Sequence, residues 1–276
     1  MPPSPYTFDR PDADVILRAP LQPGSDGFKD FRVHKLILSL ASAVFQDMFS
    51  IPQPHHNPLK EANLDVVLVT DSAEVVETFL QIVYPAVGPP VLEDLRLLND
   101  LFQLADKYLA EGITGKLREL LVSPSFLKND PIGVFAVAHR NNLEKELEIS
   151  IPYTFPVDIA GRISETALHL LTSKAYHRLL VEHADRRNRL VNATNRAQHS
   201  RDQMFDCQCG DRLTKEICLQ LARRPFFDTK VFEECLSSAH NPGRTCKANG
   251  CVLKPGVGYA LLSEIFTRME KKQNVA

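Results

Sequence analysis

Two apolar periodicities follow each other within the first fifty residues and constrain the fold more than any other feature of the chain. Residues 14–18 form a β-rich run, and Phe31 and Val33 share one face of a second strand-like run. A glycine-containing turn at residues 24–27 separates the runs, which predicts a hairpin. From Leu36 onward the apolar residues recur every four positions, which predicts helices. The chain is therefore expected to begin with a hairpin that continues into helices.

Helical patterns dominate the sequence after this point. Ser42 divides the first helical stretch and is predicted to cap a second short helix that ends near Phe49. Residues 66–69 form a third strand-like run, and Asp71 with Glu74 has the spacing of a capping box before the next helix. The predicted helices beyond residue 70 cover residues 75–83, 92–109, 117–121, 131–138, 156–171, 173–197, 213–221, 231–236 and 257–269.

The order of these patterns predicts an arm and two domains. Residues 1–12 are rich in proline and polar residues, which is typical of a flexible arm. Residues 13–123 combine strands with helices, whereas residues 124–276 show helical patterns alone, beginning with Asp130 and Pro131 as an N-cap and N1 pair. The predicted fold class is therefore α+β for the first domain and all-α for the second.

Composition and charge argue against several classes of protein. The 276 residues carry a formal net charge of −2, which gives no general attraction to nucleic acid or to acidic membranes. We find no run of about 18 apolar residues and no basic-then-apolar signal peptide at the start, so no membrane association is expected. We therefore expect an intracellular protein, cytoplasmic or nuclear, whose six cysteines are thiols or metal ligands rather than disulfides.

Sequence motifs of common enzymes are missing. We find no P-loop, no G-x-S-x-G nucleophile elbow, no H-E-x-x-H metal motif and no dinucleotide-binding G-x-G-x-x-G. We therefore expect no catalytic activity.

Five short strings follow one another in a characteristic order and spacing. They are Ala13-Asp14-Val15-Ile16-Leu17, Phe31-Arg32-Val33-His34-Lys35, Val44-Phe45-Gln46-Asp47-Met48-Phe49, Phe79-Leu80-Gln81-Ile82-Val83-Tyr84 and Leu104-Ala105-Asp106-Lys107-Tyr108. With these strings, residues 13–123 resemble the BTB/POZ domain family. The segment from Phe49 to Pro54, together with Tyr84-Pro85, looks most like the BTB domains of fungal proteins.

The resemblance implies a fold and a general function. It implies a small sheet flanked by helices that binds other proteins and catalyses no reaction. Many members of the family form homodimers through the first helix and the N-terminal strand, and some recruit the cullin scaffold of a ubiquitin ligase. The leading prediction is thus an adaptor whose partners are other proteins, with a homodimer and a cullin scaffold as the two candidates.

Asp14, His34 and Lys35 are candidate partner-binding residues. A carboxylate near a cation in a partly buried strand region is expected to form an ion pair. The resemblance implies that residues matching Asp14 and Lys35 line a charged pocket in some dimers of the family. The alternative is that this pair only stabilises the fold.

Leu59, Lys60 and Glu61 form a second candidate site. Cullin-binding BTB proteins often carry an apolar residue, any residue and an acidic residue between the helix that contains Met-Phe and the next strand, and this triplet lies in that interval. An apolar side chain that enters a groove beside a carboxylate is a reasonable docking unit. The alternative is a chance match, because such triplets are common.

Two close pairs of cysteines lie in predicted loops. Cys207 and Cys209 form one pair, and Cys246 and Cys251 form the other. Four thiolates would suit a tetrahedral structural zinc ion. The spacings are C-x-C and C-x4-C rather than two C-x2-C knuckles, so ordinary thiols are the alternative. No other cofactor is expected.

A basic stretch follows in the helical half. Residues 174–201 carry seven arginine and lysine residues, and Glu182 and Asp185 are the acids among them. We interpret the stretch as a solvated helix, or as one whose charges meet acidic residues elsewhere, so nucleic acid is not an expected partner. The alternative function is that of a BTB-containing transcriptional or chromatin regulator, in which this basic region binds phosphates.

Overall fold

A computed structural model describes residues 8–51, 60–61, 64–84, 90–159, 161, 163–199, 208–223 and 229–239. The chain divides into two compact units. The first contains Met1–Ser150 with Glu165–Leu170, and the second contains Ile151–Ser164 with Leu171–Ala276. The predicted fold class is confirmed, since a small mixed sheet with helices precedes a helical region.

A small mixed sheet forms the start of the first unit. Its strands are β1 (Val15–Pro20), β2 (Phe28–Val33), β3 (Lys60–Glu61) and β4 (Leu64–Leu68), in the order β2-β1-β4-β3. β1 pairs antiparallel with β2 and parallel with β4, which confirms the predicted hairpin. Residues 15–17 are buried because β1 lies inside the sheet, which explains their uninterrupted apolar sequence.

The first five helices of the chain belong to the same unit as the sheet. They are α1 (Lys35–Ala41), α2 (Ala43–Ser50), α3 (Ala73–Val83), α4 (Leu95–Lys107) and α5 (Glu111–Leu121). Ser42 caps α2 as predicted, since its hydroxyl oxygen accepts a hydrogen bond from the Phe45 amide at 3.1 Å. The predicted capping box is wrong. Ser72 occupies the N-cap of α3, and the Asp71 carboxylate binds the Lys107 amine instead.

The next helices are α6 (Pro124–Asn129), α7 (Pro131–Arg140), α8 (Glu144–Thr154) and α9 (Glu165–Leu170). Asp130 caps α7 as predicted, because its side chain accepts a hydrogen bond from the Gly133 amide at 2.9 Å. The prediction of one helix near residues 156–171 is wrong, since only its last part is helical. Pro156 disfavours a helical conformation at the residue before it, and α8 accordingly ends at Thr154.

The second unit contains α10 (Ser173–His199), α11 (Gln208–Arg223) and α12 (Thr229–Ala239). These helices confirm the helical patterns predicted for the same regions. Their apolar faces are buried through Leu190 of α10, Ile217 of α11 and Phe232 of α12. The helix predicted at residues 257–269 lies outside the described residues. Among the described helices, none is both long and apolar enough to span a bilayer.

Candidate protein-interaction surface

One face of α1 leaves two leucines in solvent. Leu36 is 69% exposed and Leu40 is 81% exposed, whereas Leu38 between them is fully buried. Leu36 and Leu40 are four residues apart, so they lie beside each other on the same side of the helix. Single exposed leucines are common on protein surfaces, but a neighbouring pair on a short helix is typical of a surface that binds another protein.

Three contacts hold α1 in place below this face. The Asp14 carboxylate accepts a hydrogen bond from the Lys35 backbone amide at 2.7 Å, and the His34 amide donates one to the Tyr84 hydroxyl at 2.9 Å. The Lys35 amine forms an ion pair with Asp65 of β4 at 3.1 Å. The first turn of α1 is therefore fixed to the sheet and to the residue that follows α3.

The expected ion pair of Asp14 is wrong. The Asp14 carboxylate is exposed rather than partly buried, and in the described part of the chain it forms no ion pair. Instead it caps the N-terminus of α1, because it accepts a hydrogen bond from a backbone amide of the first helical turn, and such amides have no partner within the helix. Lys35 has Asp65 as its acidic partner, and the His34 ring lies 3.6 Å from Asp12.

The segment before β1 lies against β2. Phe8, in the arm that we expect to be flexible, is buried, and its ring packs edge-on to Phe31 and Tyr84 with centroid separations of 6.0 and 5.3 Å. The Arg32 amide donates a hydrogen bond to the Phe8 carbonyl at 2.8 Å. The Arg10 side chain donates hydrogen bonds to Asp12 and lowers the pKa of that carboxyl to about 2. Residues 8–12 thus cover part of the outer edge of β2.

The turn of the β1–β2 hairpin carries a second exposed apolar pair. Leu21 is 53% exposed and Phe28 is 56% exposed. The turn closes with a hydrogen bond from the Leu21 amide to the Gly27 carbonyl at 2.8 Å, and Gly24 adopts a positive φ of 80° that favours glycine. Exposed apolar pairs of the first unit thus lie on α1 and at this turn, and further exposed apolar side chains in its described part include Ile51, Leu68, Val91 and Leu109.

The triplet at residues 59–61 is described only in part. Leu59 lies outside the described residues. Lys60 and Glu61 form β3, where they pair antiparallel with Asp65 and Leu64 of β4 at the edge of the sheet. Docking of a cullin at this triplet stays a prediction.

The four cysteines of the zinc hypothesis are also largely outside the described residues. Cys207, Cys246 and Cys251 lie there, and Cys209 falls at the start of α11 rather than in the loop that we expected. In the ranges that the structure describes, no group of three or more histidine, cysteine, aspartate or glutamate side chains is arranged to hold a metal. Zinc binding stays a prediction that a metal analysis of the purified protein would test.

Most of the basic stretch lies in α10, where the structure places one of its histidines in the core. His183 is buried, its ring lies 3.0 Å from the Thr154 hydroxyl, and it packs edge-on to Phe155. Burial lowers the pKa of His183 to about 4, so the ring is neutral at physiological pH. In the sequence alone, this histidine looks like one more potential positive charge of the basic stretch. Its spacing from Leu179 and Leu190 was the signal for a buried position.

The first unit thus combines a small mixed sheet, flanking helices and exposed apolar side chains on α1 and at the hairpin turn. The comparison with known families agrees with this architecture. Residues 21–125 match the family model of the BTB/POZ domain, so the chain contains such a domain over these residues. BTB domains are non-catalytic modules that bind proteins, which supports the general function predicted from the sequence. The search of curated proteins found no match.

Proposed function

We propose that this protein is an adaptor that self-associates through the exposed face of α1 in its BTB domain and offers its helical region to a second partner. One observation carries the proposal. Leu36 and Leu40 face solvent side by side, although the contacts around Lys35 fix the same helix firmly to the sheet. A rigid apolar face needs little ordering when a partner binds, which favours association.

The free energy gained by burying these leucines is large enough to decide whether the dimer forms. Burying one leucine side chain contributes roughly 1.5–3 kcal/mol. A two-fold dimer uses the same patch twice, so its four leucines contribute roughly 6–12 kcal/mol. The loss of translational and rotational freedom costs roughly 4–15 kcal/mol. Because the two magnitudes are similar, removing the leucines should be sufficient to abolish the dimer.

Replacing both leucines with glutamate tests this proposal. We expect two differently tagged copies of the full chain to co-purify when both are wild type, and to lose at least about nine tenths of the co-purified copy when both carry Leu36→Glu and Leu40→Glu. Glutamate retains a good helix propensity, so α1 should persist, while like charges would face each other across the interface. Quantitative affinity capture is the measurement.

Leu168→Glu is the matched control, because Leu168 is 58% exposed on α9 and carries the same chemical change. The control should co-purify as the wild type does. Equal co-purification of the double variant and the wild type, with both folded, would rule out α1 as the interface.

Besides a second copy of the chain, we propose a cullin scaffold as a partner of the BTB domain. Support comes from the position of residues 60–61 at the outer edge of the sheet. We expect saturable binding of the N-terminal domain of the host's BTB-binding cullin, measured by titration calorimetry. Leu59→Ala with Glu61→Ala should weaken it at least about tenfold, because truncating anchor side chains typically costs 1–2 kcal/mol or more.

Lys60→Ala is the control for this titration, since the middle position of the triplet accepts any residue. It should bind as the wild type does. If folded wild-type protein does not bind the cullin domain, the ubiquitin-ligase role is lost and self-association remains. The proposed adaptor is an intracellular protein that resembles fungal BTB proteins. Its dimer is proposed to contain a charged pocket at Asp14 and Lys35.

A further inference from the structure

Leu109 has a backbone conformation that leucine seldom adopts. Its φ angle is 49°, which lies in the left-handed region, where the Cβ atom crowds the carbonyl oxygen that follows. The residue belongs to the turn that ends α4. Its amide donates a hydrogen bond to the Asp106 carbonyl at 3.1 Å, and the Ala110 amide donates one to the Ala105 carbonyl at 2.8 Å. These two bonds form a Schellman motif, which favours glycine or asparagine at the position of Leu109.

The fold does not bury the Leu109 side chain. It is 58% exposed, so most of its apolar surface stays in contact with water. A second turn of the same kind ends α7, where the Leu143 amide donates a hydrogen bond to the Ala138 carbonyl at 2.9 Å. There Asn142, with a φ of 54°, occupies the equivalent position, and asparagine tolerates this conformation. A strained residue that contributes little to packing points to a function outside the fold.

Leu109 lies next to the end of α1. The carbonyl of the preceding residue, Tyr108, accepts a hydrogen bond from the hydroxyl of Ser42, which directly follows α1. In addition, α5 begins two residues after Leu109 and contacts α1. Leu40 belongs to the last turn of α1 and is exposed. Leu109 therefore extends the apolar surface of Leu36 and Leu40 from α1 to the turn before α5.

This extended surface has little net charge. Lys35 is the one charged residue of α1, and its amine binds Asp65 within the same unit. Lys107 and Glu111, which lie on either side of Leu109 in the chain, have opposite charges. A two-fold dimer places a surface against its own copy, so a charged surface would repel itself, whereas a neutral one does not. The surface therefore suits a second copy of this chain better than a strongly acidic or basic partner.

We propose that Leu109 is a contact residue of the self-associated form, and that the chain keeps a leucine in this strained conformation because the side chain is buried between two copies. The inference rests on the proposed function, since it adds a residue outside α1 to the same interface. The addition matters because α1 is only seven residues long and offers a small surface by itself. A leucine that destabilises the single chain and stabilises the dimer is a residue kept for function rather than for folding.

Replacing Leu109 with glycine tests the inference, because the expected effects on stability and on association have opposite signs. In the variant with Leu36→Glu and Leu40→Glu, which is expected to be a monomer, adding Leu109→Gly should raise the melting temperature by about 2–4 °C, since glycine relieves the left-handed strain. In the otherwise wild-type chain, Leu109→Gly should raise the dissociation constant of the dimer about tenfold or more, since it removes one leucine from each side of the interface. Sedimentation equilibrium of the full chain gives this constant.

Asn142→Gly is the matched control, because it makes the same backbone change at the equivalent position after α7 and removes no apolar side chain. Its dimer should have a dissociation constant within about twofold of the wild type. Leu109→Asn separates the side chain from the backbone. Asparagine tolerates the left-handed conformation without the added flexibility of glycine, so this variant should weaken the dimer as much as Leu109→Gly does.

Three outcomes would overturn the inference. A fall in the melting temperature of the monomeric variant on adding Leu109→Gly would show that the leucine is needed for folding. An unchanged dissociation constant in Leu109→Gly and Leu109→Asn, while Leu36→Glu with Leu40→Glu still abolishes the dimer, would remove Leu109 from the interface and leave the proposed function intact. A wild-type chain that stays a monomer would overturn the proposed self-association and this inference together.

Discussion

Lowering the pH from about 7 to about 4 should destabilise the wild-type protein by about 3 kcal/mol more than it destabilises a His183→Gln variant. The native pKa of His183 is about 4, whereas the ordinary value is 6.5, because burial disfavours the charged ring. Between these two values the unfolded chain binds a proton that the native state does not. The contribution of His183 is therefore complete above pH 6.5 and is lost as the pH falls towards 4.

Only the difference between variants isolates this residue, because every ionisable group of the protein can contribute to the pH dependence of stability. Urea unfolding at several pH values gives the free energy of unfolding for each variant. His177→Gln is the control, since His177 is an exposed histidine of the same helix and should retain the full pH dependence of the wild type. Parallel pH profiles for the wild type and His183→Gln would contradict the buried, neutral state of His183.

Replacing Ser42 with alanine should lower the free energy of unfolding by about 2–3 kcal/mol. The Ser42 hydroxyl accepts a hydrogen bond from the Phe45 amide and donates one to the Tyr108 carbonyl. Losing an N-cap costs about 1 kcal/mol, and leaving a buried carbonyl unpaired costs about 1–3 kcal/mol. The same hydroxyl joins α2 to the end of α4, where the Phe45 and Tyr108 rings stack at 4.6 Å.

Denaturant unfolding of Ser42→Ala should show a lower midpoint with an unchanged slope. Ser50→Ala is the matched control at the other end of α2, because Ser50 is exposed and its hydroxyl donates a hydrogen bond to the Asp47 carbonyl of its own helix, its one hydrogen bond to a described residue. We expect a change within about 0.5 kcal/mol for this control. If the free energy of unfolding of Ser42→Ala fell by no more than that of Ser50→Ala, the contact with Tyr108 would contribute nothing to stability.

Local signals in the sequence predicted much of the fold. The period change after Val33, the cap at Ser42 and the Asp130-Pro131 pair each depend on neighbours in the chain, and each has its expected place in the structure. The capping box at Asp71 failed because a distant side chain, Lys107, competes for the same carboxylate. Local spacing contains no information about such a competitor.

The candidate site was predictable only in its general character. The four-residue spacing of Leu36 and Leu40 placed them on one helix face, but burial of that face depends on which elements pack against α1. The same limit applies to Asp14, whose partner is a backbone amide rather than a cation.

Sedimentation velocity of the full chain over a range of micromolar concentrations tests the central claim most directly. The account predicts a species of twice the 31.0 kDa chain mass for the wild type and for Leu168→Glu, and a single-chain species for the variant with Leu36→Glu and Leu40→Glu. A wild type that stays a monomer at every concentration, or a double variant that remains a dimer, would contradict self-association through α1.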